Sequence, residues 1–490
     1  MLGSSLVFID GSVVAIALPI MQTELHASGT DAQWVVEGYT LVLSGLMLLC
    51  GALADRYGRK RLFITGAIVF AAGSVCCGWA PTINFLLAAR ILQGLGGTML
   101  APASLALLGS HFSGAERGRA VGTWSSLTAV AGTIGPVAGG VIIDHFSWRC
   151  VFFLNVPLAA AVIAAAFVHL KEVRDEEAAR RLDVAGSLFI TLALTGVVYA
   201  FIDAGMAGWR NAPVIGAMSG GVLSLAAFIV VELRVSNPIV PLALFAQRTF
   251  AGVNLLTFLL YAALSGLFYY LPFVLIRVGS YPATNVGIAM LPFLILLVAL
   301  SRTAGAMTYR FGAKTLLTIG PLISAAGFAL FAIVHGTAYW SAVFGPMALF
   351  GVGMGITVAP LTTTMMESVP SQRVGLASGI NNAVSRVAAL LAVAVLGVVL
   401  SAAFNRSLDA RLDRLHASMR QRAAVDTQRV RLAGAQMSDP RLQRSMLEAY
   451  EDGFRTVAWG CSVLAAGGAL CSLLLIEQRP KKADGQPRSS

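Results

Sequence analysis

The stretch GALADRYGRK at residues 51–60 returns as GAMTYRFGAK at residues 305–314. Glycine, alanine, arginine, glycine and lysine recur at matching positions, 254 residues later. The acid does not recur, since Tyr309 occupies the place of Asp55. A basic glycine turn that appears twice predicts a chain built from two related halves, with any role of the acid confined to the first.

The composition is typical of a membrane protein and not of a soluble globular one. The 490 residues are 57% hydrophobic and 12% charged, with a mean hydropathy of +0.76. Soluble globular domains are less apolar, and apolar runs of about 20 residues are typical of helices that cross a membrane. The net charge of +11 is expected at the cytoplasmic lipid face. We therefore expect a lipid bilayer as a partner and no nucleic acid.

Hydropathy predicts fourteen membrane spans, numbered here in chain order. They are 2–21, 34–54, 62–80, 84–110, 118–142, 149–170, 183–205, 212–234, 249–277, 284–308, 314–335, 340–366, 374–403 and 454–476. Counted with the adjoining span ends, the loops of one side and the C-terminal tail carry nineteen Lys and Arg residues, and the short loops of the other side carry three. The bias predicts that both termini are cytoplasmic.

The loop at 404–453 departs from this bias, since it carries nine arginines on the predicted outer side. Apolar residues in two parts of the loop step by three or four positions, which is the spacing of one helical face. They are Leu408, Leu412, Leu415 and Met419, then Leu442, Met446 and Tyr450. The pattern predicts an amphipathic hairpin on the outer membrane face, and the alternative is a solvated linker.

A second echo supports the repeat, because GLGGTMLAP at 94–102 is similar to GVGMGITVAP at 351–360. Both echoes are eight spans apart. We therefore predict an all-α polytopic membrane protein with two six-helix bundles and two linker helices between them. The expected units are a bundle at 1–170, a loop with the two inserted helices at 171–248, a bundle at 249–476 that includes the loop 404–453, and a tail at 477–490. Parallel halves are typical of secondary transporters with a site at the midplane.

Ionisable residues inside the spans are candidates for function. Asp10 lies in span 1, and span 9, its counterpart, contains no acid. Burial favours the protonated form of a carboxyl group and a nearby cation favours the ionised form. We expect Asp10 to exchange a proton and Arg90 of span 4 to modulate it, with Gln93 on the same helical face. A structural pair or cap is the competing interpretation, and Glu37 in span 2 is a weaker acidic candidate.

Span 5 contains the stretch AGTIGPVAGG. Small residues four positions apart allow helix backbones to approach closely, and proline bends a helix. We interpret these residues as a flexible barrier between the halves, with plain helix packing as the alternative. They are Gly132, Gly135, Pro136, Gly139 and Gly140.

The basic turn itself contains Asp55, Arg56, Gly58 and Arg59. Glycine permits a positive φ, and an aspartate stabilises a helix N-terminus. We predict that Asp55 latches one conformation by capping a helix across the halves, and that the basic turn in both copies sets the topology. A purely local cap at Asp55 would contradict the latch.

Further residues are candidates for a cargo cavity, together with Glu37 and Gln93. They are Asn254, Phe258, Tyr261 and Arg386. Arg386 lies too deep in span 13 to reach the interface easily and should meet a carbonyl, an acid or water. The cysteines form no C-x-x-C pair, so we predict no metal site. The chain shows no P-loop, nucleophile elbow or H-E-x-x-H, so an ATP-driven pump or a hydrolase has no support.

These motifs together resemble the major facilitator superfamily, in its fourteen-helix drug:proton antiporter branch. GALADRYGRKR resembles the signature between helices 2 and 3, LLAARILQGLGG the proton-linked motif of helix 4, and GPVAGG the antiporter motif of helix 5. IDGSVVAIALP resembles the first-helix motif, with Ala15 where asparagine is usual. WRCVFFLNVP, with Asn155 and Pro157, is also typical.

The resemblance implies proton-driven export of hydrophobic or cationic small molecules across the cytoplasmic (inner) membrane, by a monomer that needs no cofactor beyond the proton gradient. It implies that the protein is not an enzyme. Alternatives are export of one endogenous metabolite, siderophore or antibiotic, uptake by proton symport, or a role as a sensor or scaffold. We expect Asp10→Asn to abolish coupled export and leave folding intact.

Overall fold

The computed structural model describes residues 2–111, 132, 134–170, 172, 183–235, 238, 240–336, 338–370 and 373–477. The helices are α1 (Leu2–Glu24), α2 (Gly29–Gly45), α3 (Met47–Tyr57), α4 (Arg59–Gly78), α5 (Ile83–His111), α6 (134–145), α7 (Trp148–Phe153), α8 (Asn155–His169), α9 (Val184–Ala207), α10 (Ala212–Arg234), α11 (Arg248–Phe273), α12 (Ala283–Ala289), α13 (Leu291–Phe311), α14 (Ala313–Ile333), α15 (Gly345–Glu367), α16 (Val374–Arg414), α17 (Met419–Arg429) and α18 (Pro440–Leu475). Short π-helical turns extend α11 at Val274–Val278 and precede α15 at Tyr339–Phe344.

In the part of the chain that the structure describes, twelve helices are long and apolar enough to cross a membrane. Two of the fourteen predicted spans are not among them. Span 2 is divided at Leu46 into α2 and α3, and most of span 5 lies outside the described residues, which include only its second part, in α6. Large apolar side chains such as Leu223 and Val463 face outward, as expected where lipid replaces water around a helical protein.

The helices pack as two bundles with an inserted pair. In the first bundle α5 packs on α1, α2 and α4, and α8 packs on α1 and α4. In the second, α18 packs on α11, α14 and α16, and α15 packs on α13 and α14. The inserted helix α10 packs on α9, which in turn contacts both α2 and α16. The predicted all-helical fold of two bundles plus two linker helices is confirmed.

The sequence repeat is also a structural repeat. Gly58 joins α3 to α4 with φ 111°, and Gly312 joins α13 to α14 with φ 83°. Both backbone conformations favour glycine. The second echo marks the next helix pair in each bundle. A Cβ on Gly96 would lie 2.8 Å from the carbonyl oxygen of Gly66, and a Cβ on Gly353 would lie 2.6 Å from that of Gly320. Equivalent helices therefore approach backbone to backbone in both halves.

The segment 404–453 contains the predicted helices, but the prediction that it rests on the membrane face is wrong. Leu408 and Leu412 are fully buried in the second bundle, and so is Met446, whereas Met419 is exposed. The apolar stripe is covered by protein because α16 and α18 continue beyond the bundle as paired helices. The connection between them then folds back over the ends of the bundles.

Candidate functional site

Asp10 lies inside the first bundle, where α1 meets α5 and α8. Its Oδ2 accepts a hydrogen bond from Arg90 Nη1 at 2.6 Å. Its Oδ1 accepts hydrogen bonds from Gln93 Nε2 and Asn155 Nδ2, each at 2.8 Å. Asp10 and Arg90 are each 1% exposed, so the structure brings together the predicted acid and cation as a buried ion pair.

Arg90 is held on several sides besides its pair with the acid. Its Nε donates to the carbonyl oxygen of Val35 at 3.0 Å, and its Nη1 also contacts Gln93 Oε1 at 2.6 Å. The Tyr39 ring lies 4.2 Å from the guanidinium carbon, where the face of the ring attracts a cation. Both Val35 and Tyr39 belong to α2, so α2 is coupled to the ion pair through Arg90.

Two residues of this network were not assigned a role from the sequence. Asn155 begins α8 and bonds Asp10, and Ser74 of α4 accepts from Asn155 Nδ2 at 2.9 Å and from Gln93 Nε2 at 3.1 Å. The resemblance already singled out Asn155 as typical at its position. A lone serine inside an apolar helix carries no comparable signal, so Ser74 could not be identified from the sequence.

Asp10 is surrounded by hydrogen-bond donors. Its Oδ1 accepts from Gln93 and Asn155, and its Oδ2 accepts from Arg90. A carboxylate only accepts hydrogen bonds, so three donors on two oxygens match the acceptor-only chemistry of an acid paired with Arg90.

A separate cavity of about 270 Å³ lies between the bundles. Its walls come from α1, α2 and α6 on one side and from α11, α13 and α16 on the other. The lining residues are Gly11, Ser12, Ala15, Val36, Glu37, Thr40, Gly132, Pro136, Ser265, Phe268, Tyr269, Met290, Leu294, Ala389 and Val393. Most of this wall is apolar or aromatic, which suits a flat hydrophobic ligand.

Glu37 is the acid in this wall. It is 1% exposed, and its Oε2 has no hydrogen-bond partner among the residues that the structure describes. A buried polar atom without a partner is destabilising, and such acids in membrane helices are typically functional. Of the predicted cavity residues, Glu37 is the one that the structure places in this wall.

The other predicted cavity residues do not line this volume. Gln93 binds Asp10 instead. Asn254 donates to the Phe250 carbonyl oxygen and accepts from Asn381. Phe258 and Tyr261 lie on the helical face of α11 that also carries Ser265 and Phe268, but two turns nearer the start of the helix. Sequence spacing identified the correct face of α11, and the depth of the cavity along that face could not be derived from it.

The glycines of span 5 face three different neighbours. A Cβ on Gly135 or Gly139 would collide with side chains of α1, namely Ser12 and Val13. A Cβ on Gly140 would lie 2.6 Å from the Cα of Thr284 in the second bundle. Gly132 and Pro136 line the cavity. Close approach therefore occurs both within the first bundle and across the two bundles.

Asp144, at the end of α6, binds the second bundle. Its carboxylate accepts hydrogen bonds from the backbone N–H groups of Ala283 and Thr284 at 2.9 and 2.8 Å, and from the Thr284 hydroxyl at 2.7 Å. Burial acts to raise the pKa of Asp144, but these hydrogen bonds outweigh it and lower the pKa. We call this end of the bundles, where α1 ends and α12 begins, the closed end.

The connection between α17 and α18 also contributes to the closed end. The Gly29 N–H donates to the Val430 carbonyl oxygen at 2.7 Å, and Gln22 Nε2 donates to the Arg431 carbonyl oxygen at 2.8 Å. Gly29 and Gln22 lie at the facing ends of α2 and α1. The segment 415–439, which we call the strap, thus joins the second bundle to the first by backbone contacts.

The basic turn is only partly described, because the side chains of Asp55 and Arg56 lie outside the described residues. Gly58 has the positive φ expected of it, and Arg59 begins α4. The acid observed at the start of α4 is Glu172, which accepts from the Lys60 N–H at 3.1 Å and lies 3.7 Å from Arg61. This cap is made within the first half of the chain, and no local pattern around Glu172 indicates it.

A family model described as Major Facilitator Superfamily matches residues 1–393. The chain is 32% identical over 414 residues to the multidrug resistance protein Stp of Mycobacterium tuberculosis, which covers 84% of this chain and 77% of that protein. It is 31% identical over 403 residues to the tetracenomycin C resistance and export protein of Streptomyces glaucescens, which covers 81% of this chain and 74% of that protein.

Among solved structures, the fold is similar to a bacterial homologue of the human lysosomal transporter Spinster in an inward-facing, unoccupied conformation. The TM-score is 0.65 and the identity 16%, and the match covers 97% of this chain and 95% of that one. At this identity the likeness concerns the fold alone. The resemblance carried by the motifs is confirmed by the family model and by the similar sequences.

Proposed function

Since the chain belongs to the major facilitator superfamily, we propose that it is a drug exporter that moves hydrophobic or cationic small molecules out of the cell in exchange for protons. It is a multi-pass membrane transporter and not an enzyme. Relatives named for multidrug resistance and for resistance and export support export of toxic compounds.

One observation carries the proposal. An acid without a hydrogen-bond partner among the described residues, Glu37, lies in the wall of an apolar cavity between two bundles, and those bundles are joined at one end. Such a cavity can admit a hydrophobic cation from the other end. Rocking of the bundles about the cavity would then expose it to the opposite side of the membrane.

We assign the orientation from the charge bias of the loops, with both termini in the cytoplasm. The closed end then faces outward, and the strap lies on the outer surface. The membrane is the cytoplasmic membrane, and the transporter acts as a monomer without a cofactor, driven by the proton gradient.

Asp10 is the proposed proton site and Arg90 its modulator. Arg90 is bonded to α2 through Val35 and Tyr39, and α2 also carries Glu37. A shift of α2 when cargo binds near Glu37 therefore changes the position of Arg90 relative to Asp10. Release of Arg90 favours the protonated acid, and its return favours the ionised acid. The flexure assigned to Gly135 and Pro136 and the latch assigned to Asp55 stay predictions.

The test is export by Asp10→Asn in proteoliposomes with an imposed pH gradient and a fluorescent lipophilic cation. The single substitution leaves the buried guanidinium of Arg90 without its anion, which costs about 3–5 kcal/mol. Contrary to the expectation from the sequence, folding of this variant is therefore at risk. The variant Asp10→Asn with Arg90→Gln removes both charges and keeps the network uncharged. We expect both variants to lose acceleration by the gradient, while Asp203→Asn in the inserted helix α9 retains it.

Gradient-driven export by the folded double variant at the rate of the unaltered protein would remove Asp10 from the proton path. If the unaltered protein transports the fluorescent cation at a rate that depends on neither the pH gradient nor the voltage, the proposal of antiport itself is contradicted.

A further inference from the structure

Arg386 is a second ionisable residue in the membrane region that has no described partner. It lies in α16, and its side chain is half-buried. Within the described ranges its guanidinium forms no hydrogen bond and no ion pair. Of the partners predicted from the sequence, which were a carbonyl, an acid or water, no described carbonyl or acid is bound to it. A charged group in this position is costly unless it faces a water-filled cavity or a partner. The fold therefore retains a cation that no described residue neutralises.

Arg386 lies on the cavity face of its helix. Ala389 and Val393 follow it by three and seven positions and both line the cavity, and residues at these spacings share one helical face. Helical side chains lean toward the helix N-terminus. The guanidinium therefore continues this wall beyond Ala389, toward the end of the bundles opposite the closed end.

Glu37 is an acid and lies in the opposite half. It belongs to α2 of the first bundle, whereas Arg386 belongs to α16 of the second, and α2 packs against α16. No ion pair joins the two side chains in the described structure. The cavity is thus bounded by an acid from one bundle and extended by a cation from the other, with the aromatic rings of Phe268 and Tyr269 in its wall.

We propose that Glu37 and Arg386 are the two poles of one cargo site, and that the site takes flat hydrophobic molecules with both a cationic group and an acidic oxygen. Arg386 binds the carboxylate or enolate, for which a guanidinium offers paired donors. Glu37 binds the cationic group, and the aromatic wall contacts the ring system. This inference rests on the proposed function and narrows its cargo to amphoteric compounds, which hydrophobicity alone does not select.

A matched pair of dyes tests the site, namely rhodamine B and its ethyl ester. Both carry the same delocalised cation, and only rhodamine B has a free carboxylate. Export is measured in proteoliposomes with an imposed pH gradient for the unaltered protein, Arg386→Gln and Glu37→Gln. We expect Arg386→Gln to lower export of rhodamine B relative to the ester by about tenfold or more, the loss of one charge-assisted hydrogen-bonded contact. Glu37→Gln should lower export of both dyes.

Two control variants separate binding of the carboxylate by Arg386 from a local disturbance of α16 and from direct pairing of Arg386 with Glu37. Ser385→Ala, next to Arg386 and bonded only to its own helix at the Asn382 carbonyl oxygen, should keep the dye ratio of the unaltered protein. The exchange Glu37→Arg with Arg386→Glu tests mutual pairing, and full recovery of rhodamine B export in it would overturn the inference.

Three further outcomes distinguish the inference from the proposed function. An equal loss of both dyes in Arg386→Gln, or export of the ester without rhodamine B by the unaltered protein, overturns the two-pole site and leaves proton-driven export standing. Movement of neither dye under the gradient by the unaltered protein counts against the proposed function itself.

Discussion

Asp144 joins the two bundles at the closed end, and its removal should shift the protein toward the state that is open there. Asp144→Ala deletes the acceptor for two backbone N–H groups at the start of α12 and for the Thr284 hydroxyl. The contacts of the strap with α1 and α2 remain in the variant. The change therefore tests one component of the closure and leaves the fold of each bundle intact.

The size of the effect follows from the role of Asp144 as a helix cap. Loss of a capping aspartate typically costs about 1 kcal/mol and reaches about 2 kcal/mol. All of this stabilisation is present only when the bundles meet, since the donors and the acceptor lie in different halves. A change of about 1–2 kcal/mol alters a two-state ratio by a factor of about 5–30, so the population open at this end should rise by about that factor.

The assay is the labelling rate of a cysteine in the cavity wall, Ala15→Cys, by a membrane-impermeant maleimide. Right-side-out and inverted vesicles present the reagent to each side in turn. In the proposed orientation, Asp144→Ala should speed labelling from outside by about 5–30-fold. The protein without the added cysteine gives the background rate of labelling. Asp203→Ala removes an acid of α9 that also lies near the closed end, and it should not change the rate.

An intermediate effect is expected of Thr284→Ala, because it removes one of the three hydrogen bonds to Asp144 and keeps two. Unchanged labelling in Asp144→Ala from either side would refute the reasoning that this cap holds the bundles together. A slower rate from the outer side would show that the carboxylate opposes closure.

Two further outcomes are expected. Gly140→Ala should also speed labelling from the closed end, because its Cβ would lie 2.6 Å from a backbone carbon of α12. Gly132→Ala is the control and should not speed labelling, since no described atom lies within 4 Å of its Cβ. Equal labelling rates in the two variants would contradict the argument from packing. Arg411 and Ser407 lower the pKa of Asp452 against the opposing effect of burial, so this contribution is present at neutral pH and is lost as the pH falls below about 4 through the lowered folded pKa. Arg411→Ala should therefore lower the midpoint of thermal unfolding at pH 7 more than Arg444→Ala does. If the midpoint depends on pH in the same way in both variants, the ion pair of Arg411 with Asp452 does not stabilise the fold.

The repeat made much of the fold predictable. A motif that recurs with glycine at the helix junction requires the same backbone turn twice, and Gly58 and Gly312 both adopt it. The break at Leu46 was not predictable, because the apolar run continues through it. The stripe of 404–453 predicted an amphipathic hairpin on the membrane face, and its helices are present. Periodicity shows only that one helical face is covered, and not whether lipid or protein covers it.

The residues of the candidate site were likewise only partly predictable from the sequence. Asp10, Arg90 and Gln93 stood out because charged and amide groups are rare in apolar spans, and the fold brings them within hydrogen-bond distance. Asp144 did not stand out, since an acid at the end of a span is ordinary. Its importance arises from the second bundle, about 140 residues farther along the chain, and contacts of that range are invisible to local patterns.

The inserted helix α9 limits the routes by which hydrophobic compounds reach the cavity. It contacts both α2 and α16, and the rings of Trp34 and Tyr199 pack across the first of these contacts with their centroids 6.0 Å apart. The lateral seam between the halves is thus shielded from the surrounding acyl chains on this flank. A compound dissolved in the membrane therefore cannot reach the cavity through the flank that α9 covers.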